Sequence, residues 1–559
     1  MTDENRMVGV LVGNTGGTTL SCVLAGPYSA QRGEFLRIPH RNVESTNPSW
    51  VICRVYRISR SSPLFSESFV DSSFVDSARI FPESVTDSII ATLEIMGYIS
   101  PQSGKLTQSR VPLKPGARVY KITRDIIEGV LGFNPGTSIE LGRLIGYEVG
   151  ADAIPVLLDV NSLVTEHLAV LAMTGAGKSY TVGRIIELLL TRANGRILII
   201  DPHGEYGNCI SGGELKTTSS SSTSDSTYKS EVDYSIDELK RISSRGGGLL
   251  AFAPDSRAAE RKYGKGNFTP LRIRLDQLPE ETLSTLLPEM SEPQHRVLGL
   301  ALKKWFEEFP EPRNPLELVK ILTNKFSELK QSVSDEIGSK STITARSAGI
   351  VGLRLRELIE DTNIFFMGSG NPTTTEDLVG SGKDSEGIGR ATIVDLMSMP
   401  NEHAQIAVSV IMSELLEKAK AKKGKIPETF TVLEEAHNFV PASGRPISKG
   451  IISRVASEGR KFGLGLCVVS QRPSKLDSDV LSQCNSFIVL RIKNPQDRSF
   501  VESVAEYASK TDLEQLPALS TGEALVFGRA FPFTVLAKIG PRAIEHGGVT
   551  PDVISSWRK

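Results

Sequence analysis

LAVLAMTGAGKSYT, residues Leu168–Thr181, decides how this chain is read. An apolar run meets a Gly-rich turn carrying Lys178 and Ser179, and the helix-like pattern VGRIIELLL follows. Strand, loop and helix in that order are the setting a phosphate-binding loop requires. Gly175 and Gly177 tolerate positive φ and leave no side chain in the way, so backbone N–H groups of the turn can point inward around an oligophosphate. The positive end of the helix faces the same anion. Thr174, Gly175, Ala176, Gly177, Lys178, Ser179 and Tyr180 are therefore the expected nucleotide contacts. Among them Lys178 would reach the β and γ phosphates, and the Ser179 hydroxyl would ligate Mg²⁺. One position departs from G-x-x-x-x-G-K-[ST]: Ala172 stands where the first glycine is usual.

The second half of such a site lies far downstream. In TFTVLEEAHNFV a β-branched and apolar run leads into Glu434 and Glu435. In phosphate-loop ATPases this signature supplies one acid for the Mg²⁺ shell and another that orients and deprotonates the attacking water. The first, usually Asp, is Glu434 here, a longer arm that can reach the metal through a water. The second is Glu435. A further strand, GLCVVS, ends at Gln471, a polar cap placed to sense the γ phosphate.

Upstream, GRILIID ends on Asp201 at the carboxyl end of a buried parallel strand, where polar residues face the ligand crevice of an open α/β sheet. Asp201, His203 and Glu205 could be metal ligands, but no further His or Cys spacing supports that. Asp201 and Glu205 are read as serving the nucleotide site through water, Mg²⁺ or a neighbouring subunit. A helix over Ile451–Phe462 carries Arg460 at its terminus. Arg454, Arg460, Lys461, Arg472 and Lys475 are the best local candidates for anionic contacts, with a solvated face as the alternative.

Such a local source of positive charge is needed, because Lys+Arg 64 against Asp+Glu 65 gives a formal net charge of -1. The five cysteines, Cys22, Cys53, Cys209, Cys467 and Cys484, have no metal-ligand spacing and read as buried thiols in a reducing compartment. MTDENR lacks the basic start and apolar stretch of a secretory signal. No apolar run approaches the ~20 residues that span a bilayer. A cytoplasmic protein without a membrane anchor is expected, which counts against DNA pumps that carry their own transmembrane helices.

At 559 residues the chain is too long for one core. From Met7 onward short alternating runs with regular turns predict a small closed β-barrel without chemistry of its own. TTSSSSTSDSTYKS, residues 217–230, is too polar to pack and reads as an exposed loop. Between about 280 and 367, amphipathic periodicity predicts a helical bundle inserted between core strands, which resume at Ala391.

AMTGAGKS, LIIDPHGEY, VLEEAHNFV, ASEGRKFGLG and VVSQRPS, in this order, resemble the HerA family of hexameric DNA translocases and helicases, in the FtsK/HerA group of RecA-like ATPases. The resemblance implies an α/β RecA-like P-loop ATPase core with an inserted helical bundle, preceded by a small N-terminal β-barrel. The corresponding division is 1–150 for a barrel of the HerA/ATP-synthase type, 151–210 and 391–530 for the core, 211–390 for the insert, and 531–559 for a C-terminal brace on the neighbouring subunit. It further implies a homo-hexameric ring with double-stranded DNA in its channel, and ATP with Mg²⁺ between subunits. Lys178 and Ser179 would then hold nucleotide and metal, Glu435 would be the catalytic base, and Gln471 the sensor. Arg460 matches the arginine finger given in trans, and a NurA-type nuclease would dock on the barrel during DNA end resection. Where the family often carries a basic residue, about twelve positions before the P-loop lysine, this chain has Glu166. A ring scaffold for a nuclease or defence complex, or an FtsK-like pump, is the competing expectation.

Overall fold

The computed structural model describes residues 6–40, 49–61, 88–100, 106–107, 111–130, 136–148, 153–211, 214–215, 226–245, 247–264, 268–278, 280–287, 290–325, 344–368, 370–381, 388–421, 426–531 and 533–545. Strands β1 (Met7–Val12), β2 (Thr19–Leu24), β3 (Phe35–His40), β4 (Ser49–Ser61), β5 (Ser88–Ile99), β6 (Leu106–Thr107) and β7 (Arg118–Lys121) form the first sheet. Its order is β2-β1-β7-β3-β4-β5-β6, and a further pairing of β2 with β5 closes a ring, leaving β6 outside it. Closure removes the free edges that an open antiparallel sheet would expose. Alternation does the rest: Leu20, Cys22 and Leu24 of β2 point inward against Val8, Leu36, Val51 and Leu93.

The second sheet holds β8 (Ser138–Leu144), β9 (Pro155–Asp159), β10 (Leu168–Leu171) and β11 (Arg196–Asp201). After a short hairpin of β12 (Ile210–Ser211) and β13 (Glu214–Leu215), it continues with β14 (Gly248–Ala253), β15 (Thr269–Pro270), β16 (Arg390–Asp395) and β17 (Thr429–Leu433). β18 (Leu464–Ser470), β19 (Ser486–Leu490), β20 (Glu523–Gly528) and β21 (Val535–Ile539) complete it. The order is β15-β14-β16-β11-β17-β18-β10-β19-β20-β21-β8-β9. Pairings from β15 through β19 are parallel, and those from β19 to β9 are antiparallel. β10, β17 and β18 are buried throughout, which suits their mainly apolar and β-branched sequences.

The sheet cuts across the expected divisions. The boundary at 150/151 falls inside the β8–β9 hairpin, and β8 pairs with β21 rather than with the barrel. Within 211–390, β14 and β15 join the core sheet beside β16, so that stretch is not only helical. Helices Glu280–Leu286, Glu292–Glu308, Pro315–Asn324 and Ala345–Thr362 do pack there, around Trp305, Leu318, Leu322, Val351 and Leu355. Of the Ser-rich stretch, 217–225 lies outside the described residues, whereas 226–230 opens the helix Ser226–Ser244. No helix among the described residues is long and apolar enough to cross a membrane.

The described part of the C-terminal segment clamps its own chain. Ala543 and Ile544 donate their backbone N–H groups to Glu187 Oε2 at 2.6 and 2.9 Å, on the helix that follows the P-loop. Arg542 Nη1 donates to the Ser179 carbonyl at 3.3 Å. That approach needs Gly183, where a Cβ would lie 1.8 Å from Arg542 Nη1. Residues 546–559 lie outside the described residues. On the other side, Arg54 of β4 ties the barrel to the core: it donates to the Thr534 carbonyl at 2.8 Å and pairs with Glu94 and Asp512.

Candidate nucleotide-hydrolysis site

β10 delivers the Gly-rich turn at its carboxyl end, between β18 and β19. Ala172 N donates to the Ser470 carbonyl at 3.2 Å and Met173 N to the Arg491 carbonyl at 3.0 Å, so both neighbouring strands fix where the turn begins. Gly175 (φ 76°) and Gly177 (φ 104°) occupy the left-handed region, and Lys178 opens the helix Lys178–Ala193. Ala172 is buried and is not among the residues with positive φ, so its backbone does not require the usual glycine.

Lys178 is buried with acids around it. Its Nζ lies 2.7 Å from Glu434 Oε2, 3.0 Å from Glu435 Oε1 and 3.9 Å from Glu205 Oε1. Burial alone would lower the lysine pKa, but Glu434, Glu205 and Glu435 together outweigh it and hold the ammonium well above its ordinary value. Burial pushes Glu434 up, against the pull of the Lys178 charge. Burial also works on Glu435, yet the Lys178 ammonium and a hydrogen bond from it prevail and keep that carboxyl below its usual range. Glu435 sits in the left-handed region at φ 45°, an unfavourable backbone for a residue with a side chain.

Gln471 joins the two halves of the site. Its Oε1 accepts from Thr174 Oγ1 at 2.5 Å, and its Nε2 donates to Glu435 Oε1 at 2.7 Å. The geometry follows from strand order, because β18 lies between the P-loop strand β10 and the acidic strand β17. His437 Nδ1 stands 3.3 Å from Glu435 Oε2 and 3.2 Å from Ser470 Oγ.

Asp201 is held by the loop that follows it. Its Oδ1 accepts backbone N–H groups of His203, Gly204 and Glu205 at 3.3, 2.8 and 3.1 Å, and its Oδ2 accepts that of Tyr206 at 2.9 Å. Fully buried, its carboxyl is pushed up to about 7 by desolvation, against those hydrogen bonds. The loop it anchors carries Glu205 toward Lys178 and lets Tyr206 Oη donate to Glu434 Oε1 at 2.5 Å. Among the described residues no cluster of His, Cys, Asp and Glu forms a ready metal site. Mg²⁺ does not need one, since it binds through one or two protein oxygens plus phosphates and water. The half-buried Ser179 and the carboxylate of Glu434 fit that pattern. Among the described residues, buried Glu205 Oε2 and Glu435 Oε2 accept no hydrogen bond, though His437 Nδ1 stands beside the latter, and both suit a cation's water shell and an attacking water.

The basic run does not form one patch. Exposed Arg454, Arg460 and Lys461 precede β18, whereas exposed Arg472 and Lys475 follow it. Arg460 Nη2 pairs with Glu166 Oε1 at 3.0 Å, at the amino end of the central strands. β18 runs from Leu464 to Ser470, about 20 Å at ~3.3 Å per residue, so Arg460 lies a strand's length from the P-loop of its own chain.

A family model described as "Helicase HerA, central domain" matches residues 139–415. "DNA double-strand break repair helicase HerA" of Pyrococcus furiosus is 28% identical over 517 residues, covering 85% of this chain and 83% of that protein. The chain is thus similar to the HerA family, by the model over its central part and by the named relatives over most of its length. The same-named protein of Sulfurisphaera tokodaii is 29% identical over 91% of this chain and 89% of its own length. A solved bacterial conjugative coupling protein is 12% identical, with a TM-score of 0.48, over 77% of this chain and 94% of that one.

In this HerA-like site two contacts escaped the sequence, those of Tyr206 and His437. Tyr206 stands in LIIDPHGEY and His437 in EEAH, so both lay inside recognised motifs. No spacing rule marks either one: Tyr206 reaches Glu434 only because Asp201 folds the intervening loop back.

Proposed function

We propose that this chain is a HerA-family ATPase, an ATP-driven double-stranded DNA translocase or helicase that works as a homo-hexameric ring. In this reading a NurA-type nuclease docks on the N-terminal barrel and acts with it in DNA end resection. One observation carries the assembly: Lys178, Glu435 and Gln471 meet within one chain, while Arg460 stands at the far end of the same sheet. A guanidinium there serves a phosphate only in the site of another subunit. The names of the relatives, DNA double-strand break repair helicases, support the DNA substrate and the repair setting.

The backbone around Gly175 and Gly177 would cradle the ATP phosphates, and Thr174, Ala176 and Tyr180 would flank them. Mg²⁺, held through Ser179 and Glu434, would neutralise charge on the β and γ oxygens. Lys178 turns from the carboxylates to the β and γ phosphates and so frees Glu435. Glu435 takes a proton from the attacking water; the water oxygen bonds to the γ phosphorus, and the bond to the bridging oxygen breaks to release ADP. Gln471, anchored on Thr174, holds Glu435 in register with the loop. Arg460 of the neighbouring subunit completes the charge, which links hydrolysis to movement around the ring.

ATP hydrolysis measured with and without linear duplex DNA tests the reading. Several-fold stimulation is expected. A rate that linear duplex leaves unchanged removes the translocase assignment, and a monomeric native mass with nucleotide and DNA removes the ring.

A further inference from the structure

At the amino end of the central strands, one carboxylate holds two arginines. Glu166 Oε1 lies 3.0 Å from Arg460 Nη2, and Glu166 Oε2 lies 3.3 Å from Arg529 Nη1. The glutamate side chain is only 10% exposed, whereas the arginine side chains are 57% and 50% exposed. A single carboxylate cannot neutralise both guanidiniums, so the cluster keeps a net positive charge at the surface. One arginine already balances the buried carboxylate, so the second adds charge to the cluster and does not complete a pair.

The cluster is assembled by the sheet. Glu166 precedes β10, Arg460 belongs to the turn before β18, and Arg529 follows β20. Asn485 N donates to the Glu166 carbonyl at 3.0 Å and Arg529 N to the Asn485 carbonyl at 2.9 Å, so the backbone fixes the two ends side by side. Tyr507 Oη accepts from Arg529 Nε at 3.1 Å. A guanidinium has five N–H donors, and these contacts leave several of them for an outside acceptor.

We propose that Arg529 is a second arginine acting in trans: Glu166 holds Arg460 and Arg529 as a pair, and both guanidiniums enter the neighbouring subunit's nucleotide site to share the charge on its phosphoryl oxygens. This rests on the ring and on the trans role of Arg460 proposed above. Glu166 is the positioning residue. Its carboxylate keeps the two cations together before the neighbour's phosphates arrive, and an anion of higher charge then takes its place.

Mixed rings test it. Arg529→Gln should lower the DNA-stimulated turnover at least about tenfold, a fraction of what a full arginine finger supplies. Arg529→Lys, which keeps the charge without the planar fork, should fall between this and the parent. Glu435→Gln subunits are inactive in their own site but present intact arginines. Mixed with an excess of them, Arg529→Gln subunits should hydrolyse ATP faster than the two proteins measured apart, and Glu166→Ala should be rescued in the same way. Arg460→Gln is the control for the ring. Rescue of Arg460→Gln without rescue of Arg529→Gln overturns the role of Arg529 alone; failure of both mixtures overturns the trans reading itself. Turnover of Arg529→Gln within twofold of the parent also overturns the proposal.

Discussion

Replacing Lys178 by Met should do more than abolish hydrolysis: it should destabilise the protein without any nucleotide present. Lys178 Nζ is the cation for Glu434 at 2.7 Å and Glu435 at 3.0 Å, in a site where all three side chains are at most 4% exposed. Removing one partner of a buried ion pair typically costs about 3–5 kcal/mol, because the charge left behind is unpaired. At roughly 2–4 °C per kcal/mol for domains of 150–250 residues, the melting temperature should fall by about 6 °C or more. The deficit should depend on pH. Lys178 holds Glu435 below its ordinary 4.5, so this carboxylate stabilises the fold fully above the unfolded value and less as pH falls through the folded one. Lys178→Met forfeits that contribution at pH 5 as at pH 8; what changes between them is protonation of the carboxylates the variant leaves, Glu434 first, because burial already pushes it up and Lys178 no longer opposes this. The gap between variant and parent should therefore be wide at pH 8 and narrow toward pH 5. Adding Glu435→Gln should recover at least ~1 kcal/mol, the coupling expected of residues in contact. The assay is thermal melting of nucleotide-free protein in a chelator across that range. Equal melting temperatures, within about 2 °C at both pH 8 and pH 5, would refute the reasoning.

Two further outcomes are expected. Gln471→Ala breaks the bridge from Thr174 to Glu435, a hydrogen bond to a charged group worth about 1.5–3 kcal/mol, so kcat should fall about 10- to 100-fold while the Kd for an ATP analogue changes less than threefold. A matching loss of analogue binding in titration calorimetry would contradict this. Arg54→Ala removes the buried cation between β4 and the core, leaving Asp512 without its barrel partner, so scanning calorimetry should resolve a separate, earlier transition for the barrel. A single unchanged transition would show that contacts other than Arg54, among them Tyr56 to Glu514 and Tyr147 to Phe35, suffice to join the two units.

Local signals in the sequence were enough for much of the fold. Alternation in TLSCVL and in SWVICRVYRIS marks half-buried strands, and the mainly apolar or β-branched LAVL, TFTVL and LGLCVVS mark buried parallel ones, because the period of side-chain burial is set by backbone geometry within a few residues. The helix Ser226–Ser244 was hidden by its Ser-rich start, and β14 by its place inside a stretch dominated by helices. Lys178, Glu434, Glu435 and Gln471 were legible because phosphate chemistry demands those residue types at strand ends. Asp201 was legible only as a strand-end acid, and its four backbone bonds belong to the fold of the next loop.

By itself the sequence determined a phosphate-loop ATPase with a second acidic signature and a barrel in front of it, since each of these is written within a short window. Tertiary structure alone decided who meets whom. β18 lies between β10 and β17, and that order lets Gln471 touch both Thr174 and Glu435, residues far apart in the chain. The same strand, by its length, separates Arg460 from Lys178 and seats it with Arg529 on Glu166. Sheet order and strand length are set by long-range packing, and no local pattern in the chain encodes them.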